Sequence, residues 1–242
     1  MEKKALIKKI IFIAAILIII TLAIFSVIKY EVEGEKTLPY EIEKVLVTSM
    51  VEGDMIEGTE NLWAIDVSQA NDVFIYVKQK EKTKIAISNI LIDNFKINNN
   101  PQKGNIKILR PTGELKTLYK YSEQDYLNSN IEYLGGEIDD LKTLQINNSG
   151  GLLGFRVKLE KLGEYISNED IEIVYDGTLL NKVGITLEEI KTNISFDLTI
   201  KTSDNISYKT TISVDLPVGN IIEEGTSSIE INDLDNLVFK RV

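Results

Sequence analysis

Apolar residues follow two different patterns along this chain. Near the start they form one unbroken run. Beyond it they recur at every second position. Ile10 to Ile28 are nineteen consecutive uncharged residues, softened only by Thr21 and Ser26. A bilayer core about 30 Å thick takes roughly 20 apolar residues in a helix, so this run predicts a transmembrane helix. A cleaved signal peptide is the competing reading. Its apolar region is shorter, about 7–15 residues, and a small-residue cleavage site follows it. The best such match here, Thr21-Leu22-Ala23, sits inside the run. The pattern therefore predicts an uncleaved anchor over residues 10–29.

The alternating pattern predicts strands. Val45, Val47, Ser49 and Val51 share one parity, which gives a strand over Glu41–Val51. Leu62–Val67 and Asp72–Lys78 are β-rich runs around the polar Ser68-Gln69-Ala70-Asn71, the signature of a hairpin. In Thr83–Ile97 the parity slips near Ser88-Asn89, which predicts a bulge. Arg110-Pro111-Thr112-Gly113 reads as the turn of a second hairpin. Phe155, Val157 and Leu159 alternate with Arg156, Lys158 and Glu160. Ile171–Tyr175 is a further short strand. Thr186-Leu187-Glu188-Glu189 is a capping box that opens a short helix. Ile194–Ile200 and Ile206–Leu216 alternate on both sides of Thr202–Asn205, an antiparallel hairpin with one face buried. Pro217 ends its second strand, and Ile229–Val242 supplies a last extended piece.

Many short antiparallel strands with one apolar face require a second apolar layer. The expected fold is all-β, an antiparallel β-sandwich of Ig-like or related type behind one transmembrane helix. The expected organisation is a tail over 1–9, an anchor over 10–29, a charged stalk over 30–41 and a β-domain over 42–242. A subdivision near 147–151 is the alternative.

Charge orients this plan. Lys3, Lys4, Lys8 and Lys9 precede the apolar run, whereas Lys29 and Lys36 follow it among Glu31, Glu33 and Glu35. The lysine excess predicts a cytoplasmic start and a β-domain outside. The chain carries a net charge of −10. Residues 1–29 hold five Lys against one Glu, a net +4, which leaves −14 for the rest. So acidic a surface argues against nucleic acid as a partner. The expected partners are the bilayer, through residues 10–29, and a protein of the envelope.

The chain has no Cys and no His. This excludes thiol nucleophiles, Ser-His-Asp triads, the usual zinc sites and histidine-ligated haem. No cofactor and no metal is expected. Only carboxylates, Lys, Tyr, Ser and Thr remain to do chemistry, and the expected protein is not an enzyme. Asn232, Asp233 and Asp235 could contribute to a calcium site, but no twelve-residue loop with a closing Glu follows them. Asp139-Asp140, Glu169-Asp170 and Glu188-Glu189 are adjacent acids that read as solvated faces. Asn147, Asn193 and Asn205 each begin an N-x-Ser sequon. Trp63 and the tyrosines could form a stacking platform for a sugar, the mark of a carbohydrate-binding sandwich; a lone Trp on such a strand more often belongs to the core.

One enzyme-like pattern remains. Thr48-Ser49-Met50, then Gly53-Asp54, then Tyr76-Val77-Lys78 resembles type I signal peptidases. In that family a Ser followed by Met is the nucleophile and a Lys on a later strand is its base. The resemblance makes Ser49 the nucleophile and Lys78 the base. A Lys desolvated in an apolar pocket loses its proton and can activate a hydroxyl. The chain departs from that family in having Val51-Glu52 where a Pro follows the Ser-Met pair, and Gln79 where a basic residue follows the Lys. Those departures favour reading Ser49 and Lys78 as ordinary strand residues. A broader resemblance rests on Tyr175-Asp176-Gly177-Thr178-Leu179-Leu180 and Asp215-Leu216-Pro217-Val218-Gly219-Asn220. These look like stretches of uncharacterised single-span membrane proteins of Gram-positive bacteria. That resemblance implies a cell-envelope address for most of the β-domain and brings no activity with it. The expected role is a non-enzymatic binding or scaffolding module.

Overall fold

A computed structural model of the chain describes residues 2–56, 63–81, 83–115, 118–134, 146–147, 149–167, 174–232, 234 and 236–242. The apolar run lies in one helix, α1 (Glu2–Glu33), long and apolar enough to cross a membrane and with none of its apolar window buried. Ile11, Phe12, Ile19 and Phe25 each expose more than 60 % of their surface. Each such side chain gains about 1.5–3 kcal/mol on leaving water, so the helix as a whole requires an apolar surrounding.

The rest is mostly antiparallel β-structure. The strands are β1 (Tyr40–Ile56), β2 (Trp63–Gln79), β3 (Ile87–Asn99), β4 (Asn105–Leu109), β5 (Pro111–Leu115), β6 (Leu118–Tyr121), β7 (Ile131–Leu134), β8 (Ile146–Asn147), β9 (Gly150–Ser167), β10 (Thr192–Thr202), β11 (Ser207–Leu216), β12 (Thr226–Ile231) and β13 (Lys240–Arg241). Short helices α2 (Thr178–Lys182), α3 (Leu187–Ile190) and α4 (Ile221–Glu224) interrupt the later part. The first sheet runs β12-β1-β2-β9-β4, with β8 also on β9; the second runs β13-β11-β10-β3-β7; β5 and β6 form a two-stranded ribbon. Strands from both sides of residues 147–151 share both sheets.

The largest buried cluster draws on both sheets. Val45, Val47, Val73, Ile75, Leu153 and Phe155 of the first sheet meet Ile90, Ile92, Phe95, Phe196, Leu198 and Val214 of the second. Phe155 is the contact between them, with ring centroids 5.1 Å from Phe95 and 4.9 Å from Phe196, both edge-on. Tyr133 seals a break in the sheet edge. Gly154 lies between the β8 and β4 pairings on β9. The Tyr133 hydroxyl accepts its N–H at 3.2 Å and donates to its carbonyl.

The long strands β1, β2 and β9 run on past the second sheet. A smaller cluster covers the same face there, where Val51, Ile65, Val67 and Leu159 pack with Leu179, Leu180, Ile185, Ile190 and Ile221 of the helical segments. The capping box forms, and Glu189 accepts the Thr186 N–H at 2.9 Å. That bond holds the Glu189 carboxyl below its ordinary pKa.

Three local expectations are corrected. Ser68–Asn71 is not a turn but the buried middle of β2, where the Gln69 and Asn71 side chains find their hydrogen-bond partners inside the protein. Pro111 opens strand β5 rather than sitting in a turn, a place where its missing N–H costs no ladder bond. The last extended piece is two short strands in different sheets, β12 and β13. The bulge near Ser88 appears as a register shift between Asn89 and Ile87, and a second shift falls at Asn94, whose φ is +53°. Residues 30–33 complete α1, and residues 40–41 already belong to β1. Residues 171–173 of the strand expected over Ile171–Tyr175 lie outside the described residues, and Val174 and Tyr175 are not in a strand.

Candidate functional site

Ser49 faces inward on β1 and is fully buried. Its hydroxyl donates to Asn71 Oδ1 at 2.7 Å and accepts the Val218 N–H at 2.8 Å. Gln69 and Asn71 bond each other reciprocally at 2.7 and 2.9 Å, and Asn71 also reaches the Val157 carbonyl at 3.3 Å. These three residues form a polar pin between the two apolar clusters. It ties β1, β2 and β9 to the chain that leaves β11 through the cis Leu216–Pro217 bond.

Lys78 lies elsewhere. Ser49 pairs with Asn71, whereas Lys78 pairs with Glu41, seven residues further along β2. At about 3.3 Å per residue this is about 23 Å, and the odd difference puts Lys78 on the opposite face from Asn71. Lys78 is exposed beside Glu41, Gln79, Lys80 and Glu81. The structure does not bring Ser49 and Lys78 together, and a proton transfer needs hydrogen-bond reach.

The outer face of the first sheet carries a charged cluster that alternation alone concealed. Arg156 grips Asp72 with Nε–Oδ1 at 2.6 Å and Nη2–Oδ2 at 2.9 Å, and its Nη1 meets Glu52 at 2.6 Å. The Tyr121 ring stacks on the guanidinium, 4.0 Å from its centroid. Burial opposes the charge on Arg156, and the Asp72 hydrogen bonds with the Asp72 and Glu52 charges outweigh it, so its pKa rises. Burial likewise holds the Tyr121 phenol in its neutral form. The forked geometry matches a carboxylate at both ends. Its donors are already committed to Asp72 and Glu52, and through Tyr121 the cluster fastens the β5–β6 ribbon.

A second network lies on the outer face of the second sheet. Asp197 accepts from Thr211 at 2.6 Å, Lys209 at 2.8 Å and Asn94 at 2.9 Å. Burial pushes its pKa up, and these three donors outweigh burial and lower it. Asn193, a sequon position, is tied to Asp215 and Ser213. Asn147 accepts the Ser149 N–H, and Asn205 stands in the β10–β11 turn with φ +64°.

The third cluster joins α1 to the β-domain. The Arg241 N–H donates to the Tyr30 hydroxyl at 2.8 Å, and the Glu35 N–H donates to the Phe239 carbonyl at 2.7 Å. Arg241 Nε meets Glu35 at 2.6 Å, Lys36 meets Glu33 at 2.5 Å, and Lys240 bonds Glu31. The Glu35 pKa is lowered, first by the Thr37 hydroxyl. Gly34 has φ +64°, and a Cβ there would stand 2.4 Å from the Phe239 carbonyl oxygen, so only glycine fits this crossing. Sequence reasoning missed this junction. Its one signal was a glycine inside a run of charges.

Of the two segments that carry the Gram-positive resemblance, the first packs against α4, just past the end of the second, and the second reaches β1. A Cβ on Gly177 would stand 1.7 Å from the Ile222 carbonyl oxygen, and Val218 caps the polar pin. Their residues serve close chain crossings. Asp139-Asp140, Glu169-Asp170, Asp233, Asp235 and the side chain of Trp63 lie outside the described residues. Among the described residues no group of three or more carboxylates is placed to hold a metal ion. Comparison of the chain with protein-family models, with curated proteins and with solved structures finds no match.

Proposed function

We propose that this chain is a single-span membrane protein whose two sheets form an extracytoplasmic β-sandwich, acting as a non-enzymatic binding or scaffolding module of the cell envelope. One observation carries the reading. A wholly exposed apolar helix is fastened, through Tyr30, Gly34 and Glu35, to a β-domain whose polar clusters hold its own strands together. Lysines before the apolar run support a cytoplasmic start. The Ser-Lys peptidase reading loses its support, because Ser49 spends its hydroxyl on Asn71 and Val218.

The test is alkaline extraction of membranes followed by photo-crosslinking from exposed β-domain positions in intact cells. The full-length chain is expected in the membrane pellet. Parent and Lys78→Ala chains are expected to give the same adducts with envelope components. Recovery of the full-length chain in the soluble fraction contradicts the anchor. Adducts lost on Lys78→Ala, together with a lost peptide-cleaving activity, contradict the non-enzymatic role.

A further inference from the structure

We propose that the β-domain does not hang clear of the membrane but is seated on it, with the β13 segment Phe239–Val242 in the lipid headgroup layer. The inference rests on the anchoring of α1 and adds the surface by which the domain meets its bilayer.

The argument is one of lengths. Nineteen residues from Ile10 to Ile28 at about 1.5 Å each span about 28 Å, which fills the hydrocarbon core. Ile28 then stands at its edge. Tyr30 and Glu31 follow within about 3–5 Å along the axis. The headgroup layer beyond the core is about 5–7 Å thick on each side. Arg241 bonds Tyr30 through its backbone and Lys240 bonds Glu31 through its ammonium, so these two residues share that depth. β13 is not a loose tail. Arg241 pairs with Tyr208 and Lys240 with Lys209 on β11. The Phe239 ring lies 5.4 Å from Tyr40, which lies 5.7 Å from Tyr208, all three buried. Whatever depth β13 has, the base of both sheets follows.

Charge at the junction suits this seat. Glu31, Glu33 and Glu35 are each matched by one cation, from Lys240, Lys36 and Arg241. These three pairs cancel, which with Lys29 beside Glu33 leaves the contact close to neutral although the chain beyond residue 29 carries −14. Seating is therefore independent of lipid charge. Tyr30 places an amphipathic ring at the level where such rings settle.

The chain lacks cysteine, so a single introduced thiol carries a fluorophore without background. Full-length Val242→Cys, Met55→Cys and Ala14→Cys chains are reconstituted in phosphatidylcholine vesicles, with and without phosphatidylglycerol. The lipids carry nitroxides on either the headgroup or the acyl chain. Headgroup nitroxides are expected to remove most of the emission at 242 in both lipid mixtures and none at 55, which lies about 50 Å further along β1. Acyl-chain nitroxides are expected to quench position 14. Emission at 242 that survives like that at 55, while position 14 is quenched, overturns the seating and leaves the anchor standing. Quenching at 242 only with phosphatidylglycerol overturns the neutral contact. An unquenched position 14 overturns the anchor, and the seating with it.

Discussion

The inner face of β1, β2 and β9 is covered twice, in two ways. Over half its length the second sheet lies on it, and aromatic rings from β3, β9 and β10 interlock. Over the other half, single helical turns cover it with Leu179, Leu180, Ile190 and Ile221. Between the two stands the polar pin of Ser49, Gln69 and Asn71. One face, with one alternation, has two kinds of cover. Period-2 patterning reports that a face is buried, but it does not report what buries it.

The difference can be broken open by substitution. The largest effect is expected from Phe155→Ala, which removes the ring that both Phe95 and Phe196 touch. It should destabilise the domain by about 3–5 kcal/mol in denaturant unfolding. Asn71→Leu comes next. It strips the Ser49 hydroxyl, the Gln69 amide and the Val157 carbonyl of a partner, and at about 1–3 kcal/mol per orphaned group it should cost about 3 kcal/mol. An unchanged midpoint would mean that the pin is dispensable and that the two clusters are one core. Leu180→Ala should cost about 2–3 kcal/mol. Its loss of hydrogen-exchange protection should stay within residues 178–190 and the ends of β1, β2 and β9. Protection lost equally in β10 and β11 would deny the separation of the two regions.

The smallest effect concerns pH. The Asp197 carboxyl has its pKa lowered by Lys209, Thr211 and Asn94. A depressed carboxylate stabilises the fold above its unfolded-state pKa of about 3.9, and that contribution is lost as pH falls through the folded-state value. Acid unfolding of Asp197→Asn should therefore show a shallower loss of stability below about pH 4 than the parent.

Much of the β-structure was legible in the sequence. Ile194–Leu216 and Phe155–Leu159 alternate cleanly because each strand has one apolar and one polar face, even where a polar side chain such as Asp197 is itself buried. β2 was read as two strands because Gln69 and Asn71, polar and buried, look like a turn when their partners on β1 and β9 are unknown. The helical cover was half legible. Thr186 and Glu189 announce α3, but Thr178–Lys182 and Ile221–Glu224 are too short to show a helical period. The junction between α1 and β13 was illegible for a simpler reason. Its hydrogen bonds join residues 209 and 211 positions apart. No local pattern records that Arg241 returns to Tyr30.

The central proposal is that α1 divides the chain between two compartments, with both sheets outside. Single cysteines at Lys4 and at Met55, treated in intact cells with a membrane-impermeant maleimide, test it most directly. The account predicts labelling at 55 in intact cells and at 4 only after permeabilisation. Labelling at 4 in intact cells, or protection of 55 until the membrane is opened, contradicts it.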